Sequence, residues 1–338
     1  MSRCAFPSHN RRSTGPSTKS RRIPRSLPSR ARPETGKKGR EMSKPTIGFI
    51  GLGLMGSAMV QRLLDQGYSL TVLGNRDRKG VEAALARGAT EAETARALAA
   101  GSDIVMLCVG TSAQVESRML GEDGVIAGLK PGTVVIDFGT SLPASTRMLG
   151  EAVAAAGGTY MDAPLGRTPS HGREGKLNIM CAGDQATFNA IRAVLDDLGE
   201  NVFHLGPLGA GHTIKLINNF YAMTSAAAMS EAFAMADKAG VSRQSLYDVL
   251  AAGPNHSGMM DFIKAYAVDG DPQKLAFALR NALKDVSYYA QMAQDAGGIS
   301  VMSGGTKLLL QLAEGAGQGD RLVPEMVDVI TGLTAKRD

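Results

Sequence analysis

The stretch that decides the fold is "TIGFIGLGLMGSAMVQRLLDQG", residues 46–67. It opens with "TIGFI", a short continuous apolar run of the kind found in strands that are buried on both faces. A glycine-rich turn follows, and "SAMVQRLLDQG" then has a helical pattern that ends at Gly67 as its C-cap. The stretch therefore predicts a strand, a tight turn and a helix in direct succession.

Glycines in the turn have the spacing of a dinucleotide-binding fingerprint. Gly51 permits the tight turn, Gly53 lets a pyrophosphate approach the backbone, and Gly56 lets the helix pack closely on the strand. The phosphates would lie at the helix N-terminus, where free N–H groups and the helix dipole favour anions. A dinucleotide is therefore predicted to contact the whole turn, whose residues are Gly51, Leu52, Gly53, Leu54, Met55 and Gly56.

Further strand and helix patterns alternate up to about residue 208, which predicts βαβ units and a parallel sheet. The apolar runs that predict strands are 68–73, 102–109, 133–139, 159–165, 176–184 and 201–206. From residue 209 every patterned segment is helical, beginning with an Ala- and Met-rich run at 209–240. We therefore predict an α/β, doubly wound Rossmann domain at 44–208 and an all-α domain at 209–338. The long first helix of the second domain would serve as domain linker and subunit interface.

The composition excludes several classes of function. The length of 338 residues suits two domains, and 43% hydrophobic and 20% charged residues are ordinary for a globular protein. No apolar run reaches the roughly 18–20 residues that a membrane span needs. Trp is absent and aromatic residues make up 5%, which argues against binding of single-stranded nucleic acid by base stacking.

The net charge of +5 is unevenly divided, because residues 1–43 carry +10 and residues 44–338 carry −5. The basic segment is rich in Arg, Ser, Pro and Gly and cannot form a core. It fits a transit-like segment, a nucleic-acid-binding arm, or a stretch outside the functional protein, since Met42 stands directly before "SKPTIGFIGLG". We favour the third interpretation, then plain disorder; the missing apolar region excludes a secretory signal.

Cysteine and histidine placement predicts neither a disulfide framework nor a metal site. Cys4, Cys108 and Cys181 are odd in number and widely spaced, which fits a reducing, cytoplasmic setting. The histidines form no cluster with acids or cysteines, and no Ser/His/Asp arrangement is evident. We therefore expect an enzyme without a metal, if the chain is an enzyme.

The end of the second predicted strand, "TVLGNRDRK", bears on the choice between NAD and NADP. A ribose-binding carboxylate that favours NAD would stand there, roughly 20 residues past the glycines. The position instead holds Gly74, followed by Asn75 and Arg76, and a guanidinium pairs well with a 2′-phosphate. NADP is therefore favoured, with Asn75 and Arg76 as contacts, although a shift of one residue would present Asp77. Arg78 fits either a solvated turn or a specific contact.

One helix of the second half carries candidate chemistry. "GAGHTIKLINN" places Lys215 on the same face as Asn218 and Asn219, because residues three and four apart share a face. An ammonium and two carboxamides can hold a carbonyl or hydroxyl and pass it a proton, and partial burial lowers a lysine pKa toward the working range. A surface lysine is the alternative, weakened by the small apolar surroundings. For Lys284 and Asp285 in "KDVSYYA", a solvated pair is the default interpretation.

Five segments together, "GFIGLGLMG", "VIDFGT", "MDAPLG", "GAGHTIKLINN" and "FALRNALKDV", resemble the β-hydroxyacid dehydrogenase family in sequence and order. That family includes 3-hydroxyisobutyrate dehydrogenase and tartronate semialdehyde reductase, and the resemblance covers residues 46 to about 330. It implies a dimer or tetramer that uses NAD(P) to interconvert a short anionic aldehyde and its hydroxy acid by hydride transfer.

The resemblance also implies roles for individual residues. Lys215 would be the catalytic acid and base, with Asn219 as the second catalytic residue and Asn218 orienting the substrate. Thr140, in the place of the family's "ST" pair, would lie beside both cofactor and substrate. The remaining implied cofactor contacts are Val109, Phe277 and Lys284.

One departure from the family pattern concerns the substrate. The family usually has Ser-Gly-Gly after "DAPV", whereas this chain has Gly166-Arg167-Thr168 after "DAPL". That version resembles the sulfolactaldehyde reductases of the family, which act on a sulfonated three-carbon aldehyde. A guanidinium offers a planar fork of donors and a permanent charge, and Thr168 adds a hydroxyl, so the loop suits an anion. We expect Thr140 and these three residues to bind the anionic end of the substrate, whether carboxylate or sulfonate.

Two rival functions stay open at this level. An imine reductase has the same fold, but such relatives typically replace the lysine that this chain retains as Lys215. A non-enzymatic nucleic-acid-binding protein would use the basic tail at 1–43 as its contact, which would leave the catalytic set without an explanation. We expect residues 44–338 to associate neither with a membrane nor with nucleic acid.

Overall fold

The computed structural model describes residues 44–75 and 77–334, which belong to one compact unit that begins at Lys44. The basic tail at 1–43 and the predicted cofactor contact Arg76 lie outside the described residues.

A parallel sheet with the strand order β3-β2-β1-β4-β5-β6 forms the first half of the unit. Its strands are β1 (Ile47–Ile50), β2 (Leu70–Leu73), β3 (Thr90–Ala92), β4 (Ile104–Leu107), β5 (Val134–Asp137) and β6 (Thr159–Asp162). The helices between them are α1 (Leu54–Asp65), α2 (Lys79–Leu85), α3 (Ala95–Ala100), α4 (Ser112–Met119), α5 (Val125–Gly128) and α6 (Pro143–Ala155). The predicted doubly wound fold is confirmed, and its strand order reverses between β1 and β4, where such sheets bind ligands.

Both faces of the sheet are buried, as the continuous apolar run of β1 predicts. Phe49 points into the core on one side and Ile50 into a second core on the other, and both are almost completely buried. Successive side chains of a strand point to opposite faces, so a strand covered on both sides must be apolar throughout.

The runs at 176–184 and 201–206 do not extend this sheet, contrary to the expectation of one continuous alternation. They form a separate sheet of β7 (Leu165–Gly166), β8 (Leu177–Cys181) and β9 (Gly199–His204), with α7 (Pro169–Arg173) and α8 (Gln185–Leu198) between the strands. β7 pairs with β8 antiparallel and β8 with β9 parallel. Only Ala163 and Pro164 separate β6 from β7, which is too short for the crossover that a parallel neighbour requires.

The second half of the unit is helical, as predicted. α9 (Ala210–Lys238) is 29 residues long, and around it lie α10 (Arg243–Ala251), α11 (Gly258–Ala267), α12 (Leu279–Asp295), α13 (Met302–Gly315) and α14 (Met326–Thr334), with 3₁₀ turns at Pro272–Leu275 and Val323–Glu325. Among the described helices, none is both long and apolar enough to cross a membrane. The division into domains at residues 208 and 209 stays a prediction, because one compact unit contains both halves.

Candidate active site

The glycine-rich turn between β1 and α1 has the shape that a dinucleotide requires. Gly51 has a φ of 102°, and a Cβ there would lie 2.4 Å from the Cys108 carbonyl oxygen. A Cβ at Gly56 would lie 1.8 Å from the carbonyl oxygen of Gly51, so only glycine permits this approach of helix and turn. A Cβ at Gly53 would meet nothing within 4 Å, which leaves open space where a pyrophosphate would approach. No side chain caps the N-terminus of α1, so its N–H groups face that space.

A cleft of about 360 Å³ extends from this turn along the carboxyl ends of β1, β2 and β4. Of the predicted cofactor contacts, those that line it are Gly51, Leu52, Gly53, Asn75 and Val109. Leu54 instead borders a neighbouring groove, Met55 packs on the core, and Gly56 is buried. Phe277 is not among the residues lining the cleft and packs against the helical core, so its cofactor role stays a prediction.

A chain of polar contacts links α9 to α12. The Asn219 amide nitrogen donates to Asp285 Oδ2 at 2.6 Å, and the Asn218 amide nitrogen donates to Asn219 Oδ1 at 3.2 Å. Asp285 Oδ1 lies 2.9 Å from Lys284 Nζ. Asp285 is only 2% exposed, so the interpretation of Lys284 and Asp285 as a solvated pair is wrong. This carboxylate holds the amide of Asn219 from one side and an ammonium from the other.

Lys284 extends from α12 to the loops that follow β4 and β5. Its ammonium donates to the carbonyl oxygens of Gly110 at 2.8 Å and Thr140 at 3.3 Å. Gly110 lines the cleft described above, so Lys284 stands at its border. The structure thus links Asn219 through Asp285 to Lys284, and Lys284 to the backbone carbonyl of Thr140, beside the cleft.

Lys215 lies one helical turn before Asn219, on α9. Burial lowers the pKa of its ammonium, the carboxylate of Asp285 raises it, and the neighbouring charge of Lys284 lowers it. The net result is a pKa below the ordinary lysine range. Such a group can lose and regain a proton under conditions in which a surface lysine stays charged.

The loop predicted to bind the substrate anion has an unexpected geometry. Arg167 has a φ of 76° and is the sole non-glycine residue with positive φ in the described ranges. Its guanidinium donates to the Lys176 carbonyl oxygen at 2.7 Å and pairs closely with the carboxylate of Glu200. The Thr168 hydroxyl bonds to His171 Nδ1 at 2.7 Å. The hydrogen bonds and ion pairs of the described residues thus tie Arg167 to β9 and to the start of β8, and none joins it to Lys215 or Thr140.

Two buried groups fix the start of α9. Asp162, at the end of β6, accepts hydrogen bonds from the backbone N–H of Gly209 at 2.8 Å and of His212 at 2.7 Å. The buried His212 ring bonds through Nδ1 to the Thr146 hydroxyl at 2.7 Å. Burial raises the pKa of Asp162. The carboxylate caps the helix from a distant strand and so positions Lys215, which lies one turn after His212.

The described ranges contain no candidate metal site, because no group of three or more His, Cys, Asp or Glu side chains there is placed to hold an ion.

Comparison with known proteins agrees with this arrangement. Residues 46–206 match the family model described as the NAD binding domain of 6-phosphogluconate dehydrogenase. Residues 209–330 match the one described as the NAD-binding part of NADP-dependent 3-hydroxyisobutyrate dehydrogenase. The chain belongs to the β-hydroxyacid dehydrogenase family. It is an NAD(P)-dependent oxidoreductase that acts on CH–OH groups, as the sequence predicts.

Individual relatives align with most of this chain. A 2-(hydroxymethyl)glutarate dehydrogenase of Eubacterium barkeri is 31% identical over 69% of this chain and 81% of its own length. A probable 3-hydroxyisobutyrate dehydrogenase-like mitochondrial protein of Arabidopsis thaliana is 31% identical over 87% of this chain and 96% of its own. The crystal structure of a 3-hydroxyisobutyrate dehydrogenase from Salmonella typhimurium is 27% identical, with a TM-score of 0.72, over 84% of this chain and 99% of that one.

The sequence analysis did not predict the roles of three residues: Asp285, Glu200 and Asp162. Asp285 had a readable signal, because it stands three residues after Ala282 on the buried face of α12. Glu200 lies 33 residues from Arg167 and had no local signal. Asp162 belongs to the quoted "MDAPLG" motif, but its capping of α9 depends on how two distant segments meet.

Proposed function

We propose that this oxidoreductase interconverts a short anionic aldehyde and the corresponding hydroxy acid, with Lys215 as the proton-transferring group. The observation that carries the proposal is the position of Lys215 on α9, one turn from Asn219, which Asp285 and Lys284 connect to the border of the dinucleotide cleft. Burial lowers the pKa of Lys215, which supports the same role. The names of its relatives, 2-(hydroxymethyl)glutarate dehydrogenase and 3-hydroxyisobutyrate dehydrogenase-like protein, support substrates of this class.

A bound nicotinamide supplies the hydride in reduction and accepts it in oxidation. In reduction, the Lys215 ammonium would give a proton to the carbonyl oxygen of the substrate. In oxidation, the neutral amine takes the hydroxyl proton. Asn219 is held rigidly by Asp285, so its amide orients the oxygen that Lys215 protonates, and Asn218 supports it.

For the cofactor we propose a preference for NADP, with NAD as the alternative and with no metal. Asn75 lines the cleft at the end of β2, and Gly74 there offers no carboxylate of its own. Asp77 also lines the cleft and supports NAD as the alternative, but its carboxylate accepts a hydrogen bond from the backbone N–H of Lys79. The contact of Arg76 with a 2′-phosphate remains part of this proposal.

For the substrate anion we propose a carboxylate bound beside Thr140, Gly166 and Thr168. The guanidinium of Arg167 already has a carboxylate partner in Glu200, so a second anion would have to share or displace it. The "GRT" sequence supports a second candidate, a sulfonate such as that of sulfolactaldehyde, which would require Arg167 to turn away from Glu200.

The retained Lys215 argues against an imine reductase.

The test is an initial-rate panel with NADH and NADPH in parallel. The aldehydes are sulfolactaldehyde, succinic semialdehyde, tartronate semialdehyde and methylmalonate semialdehyde, and the proteins are the wild type, Arg167→Ala and Lys215→Ala. We expect activity on carboxylates, little change in Arg167→Ala, and a loss of about 10²–10⁴-fold in kcat in Lys215→Ala. A selective sulfolactaldehyde rate that collapses in Arg167→Ala would establish the sulfonate candidate instead. No rate with any aldehyde would contradict the proposal.

We further propose that the protein is a homo-oligomer, a dimer or tetramer, that associates through α9. Ile214, Ile217 and Tyr221 share one helix face by their spacing and are 40%, 48% and 72% exposed. The mass in solution, measured by light scattering, tests this; a monomer at micromolar concentration would contradict it. A cytoplasmic location likewise stays a proposal.

A further inference from the structure

An ion pair stands at the point where β2 ends and the cofactor-discriminating residue is expected. Arg78 Nη1 and Nη2 donate to Glu91 Oε1 and Oε2 at 2.6 and 2.8 Å, a two-pronged pairing between the start of α2 and β3. β3 runs parallel to β2, which brings Glu91 beside the end of that strand.

The Glu91–Arg78 ion pair fills the space that a side chain at position 74 would need. A Cβ at Gly74 would lie 2.2 Å from Glu91 Oε1 and 2.4 Å from Arg78 Nη1. The place where the family of dinucleotide folds puts a carboxylate on β2 is therefore filled by a carboxylate from β3, already bound to a guanidinium. Both residues line one solvent-open cavity, together with Asn75 and Glu93.

We propose that Glu91 sets the balance between NAD and NADP by controlling whether Arg78 is available to a 2′-phosphate. The inference rests on the binding of a nicotinamide dinucleotide in the adjoining cleft, as proposed above. It gives the Glu91–Arg78 pair a part in the discrimination beside the proposed contact of Arg76 with the 2′-phosphate.

The two cofactors make opposite demands on this pair. A ribose with a free 2′-hydroxyl can donate to the Glu91 carboxylate while Arg78 keeps its place, so NAD leaves the pair intact. A 2′-phosphate is an anion that competes with Glu91 for the same fork of donors, and it is repelled by the carboxylate when Arg78 turns toward it. Glu91 therefore weakens NADP binding, and Arg78 strengthens it.

The experiment measures the dissociation constants of NADPH and NADH by fluorescence titration without any aldehyde, in the wild type, Glu91→Gln and Glu93→Gln. We expect Glu91→Gln to tighten NADPH binding about tenfold, the effect of one charge-assisted contact, with NADH unchanged or weaker. Glu93→Gln removes the same charge from the same cavity without touching Arg78, so NADPH binding should change less than about threefold.

A double-mutant cycle tests the mechanism. Arg78→Ala should weaken NADPH binding about tenfold, and adding Glu91→Gln to it should then bring no gain, because there is no guanidinium left to release. Equal gains from Glu91→Gln and Glu93→Gln, or a gain that persists in Arg78→Ala, would overturn the inference. If the wild type bound both cofactors but no variant moved their ratio, only the inference would fall. If it bound neither, the proposed function would fall with it.

Discussion

At the scale of single residues, Arg167 holds a backbone conformation that its side chain disfavours. Its φ of 76° lies in the left-handed region, which costs a residue with a Cβ about 1 kcal/mol relative to glycine. We expect Arg167→Gly to be more stable than Arg167→Ala by about 1 kcal/mol, because both lose the pairing with Glu200 and only glycine relieves the backbone. Urea unfolding measures the difference; equal stabilities would show that the backbone at this position is not strained.

Two charged residues act on the pKa of Lys215 with opposite signs. Asp285 raises it, so Asp285→Asn should lower it further, while an amide oxygen can still accept the hydrogen bond from Asn219. Lys284 lowers it, so Lys284→Met should raise it. Oxidation of a hydroxy acid needs neutral Lys215, and the rate is lost as the pH falls through the pKa of that residue. The acidic limb of kcat/KM should therefore move to lower pH in Asp285→Asn and to higher pH in Lys284→Met.

The pH–rate profiles of these two variants separate an electrostatic effect from damage to the site. Damage to the site would lower the maximal kcat/KM of both variants but would not shift their acidic limbs in opposite directions. Displacement of both limbs in one direction would contradict the assignment of Lys215 as the titrating group, since the two substitutions change the local charge with opposite signs.

At the scale of elements, α9 depends on a cap that it does not contain. Asp162 accepts from two backbone N–H groups at the start of the helix, one on each carboxylate oxygen. Asp162→Asn would turn an NH₂ group toward one of these donors, so we expect a loss of about 1–3 kcal/mol in the free energy of unfolding. Activity should fall as well, because Lys215 lies in the second turn of α9.

The matched control for this cap is Asp184→Asn at the start of α8. Asp184 accepts from the backbone N–H of Thr187 within its own turn, where asparagine caps about as well as aspartate. Urea unfolding should therefore show little change in Asp184→Asn. A similar loss in both variants would mean that Asp162 contributes no more than an ordinary local cap.

The elements that could be predicted from sequence are those whose pattern is local. The strand and turn around Gly51 are recognisable because apolar run, glycine spacing and helix follow one another directly. β3 was missed because Thr90 and Glu91 are exposed and form no apolar run. The second sheet was misplaced because periodicity does not say which neighbour a strand pairs with. Glu200 meets Arg167 only in the folded chain, so the substrate loop was the least predictable part of the site.

At the scale of the whole molecule, the candidate site draws on both halves. Lys215 and Asn219 come from α9, Lys284 and Asp285 from α12, and Thr140 from the loop after β5. The contacts of Lys284 with that loop, and the hydrogen bond from the Ser112 backbone N–H to the Tyr288 hydroxyl at 3.2 Å, hold α12 against the sheet. Proton transfer and dinucleotide binding therefore depend on one shared set of contacts.

The position of the candidate site in the chain bears on the role of the basic segment at residues 1–43. Every residue of the candidate site lies between Gly51 and Asp285, and the compact unit begins at Lys44. We expect a chain that starts at Met42 to keep kcat/KM and the dinucleotide dissociation constant within about twofold at 0.15 M salt, which weakens long-range attraction between basic residues and an anionic ligand. Its net charge falls from +5 to about −5, so any retention on immobilised DNA should disappear. Loss of catalysis together with DNA retention would instead make the tail part of the function and favour the nucleic-acid-binding alternative over an enzyme contained in residues 44–334.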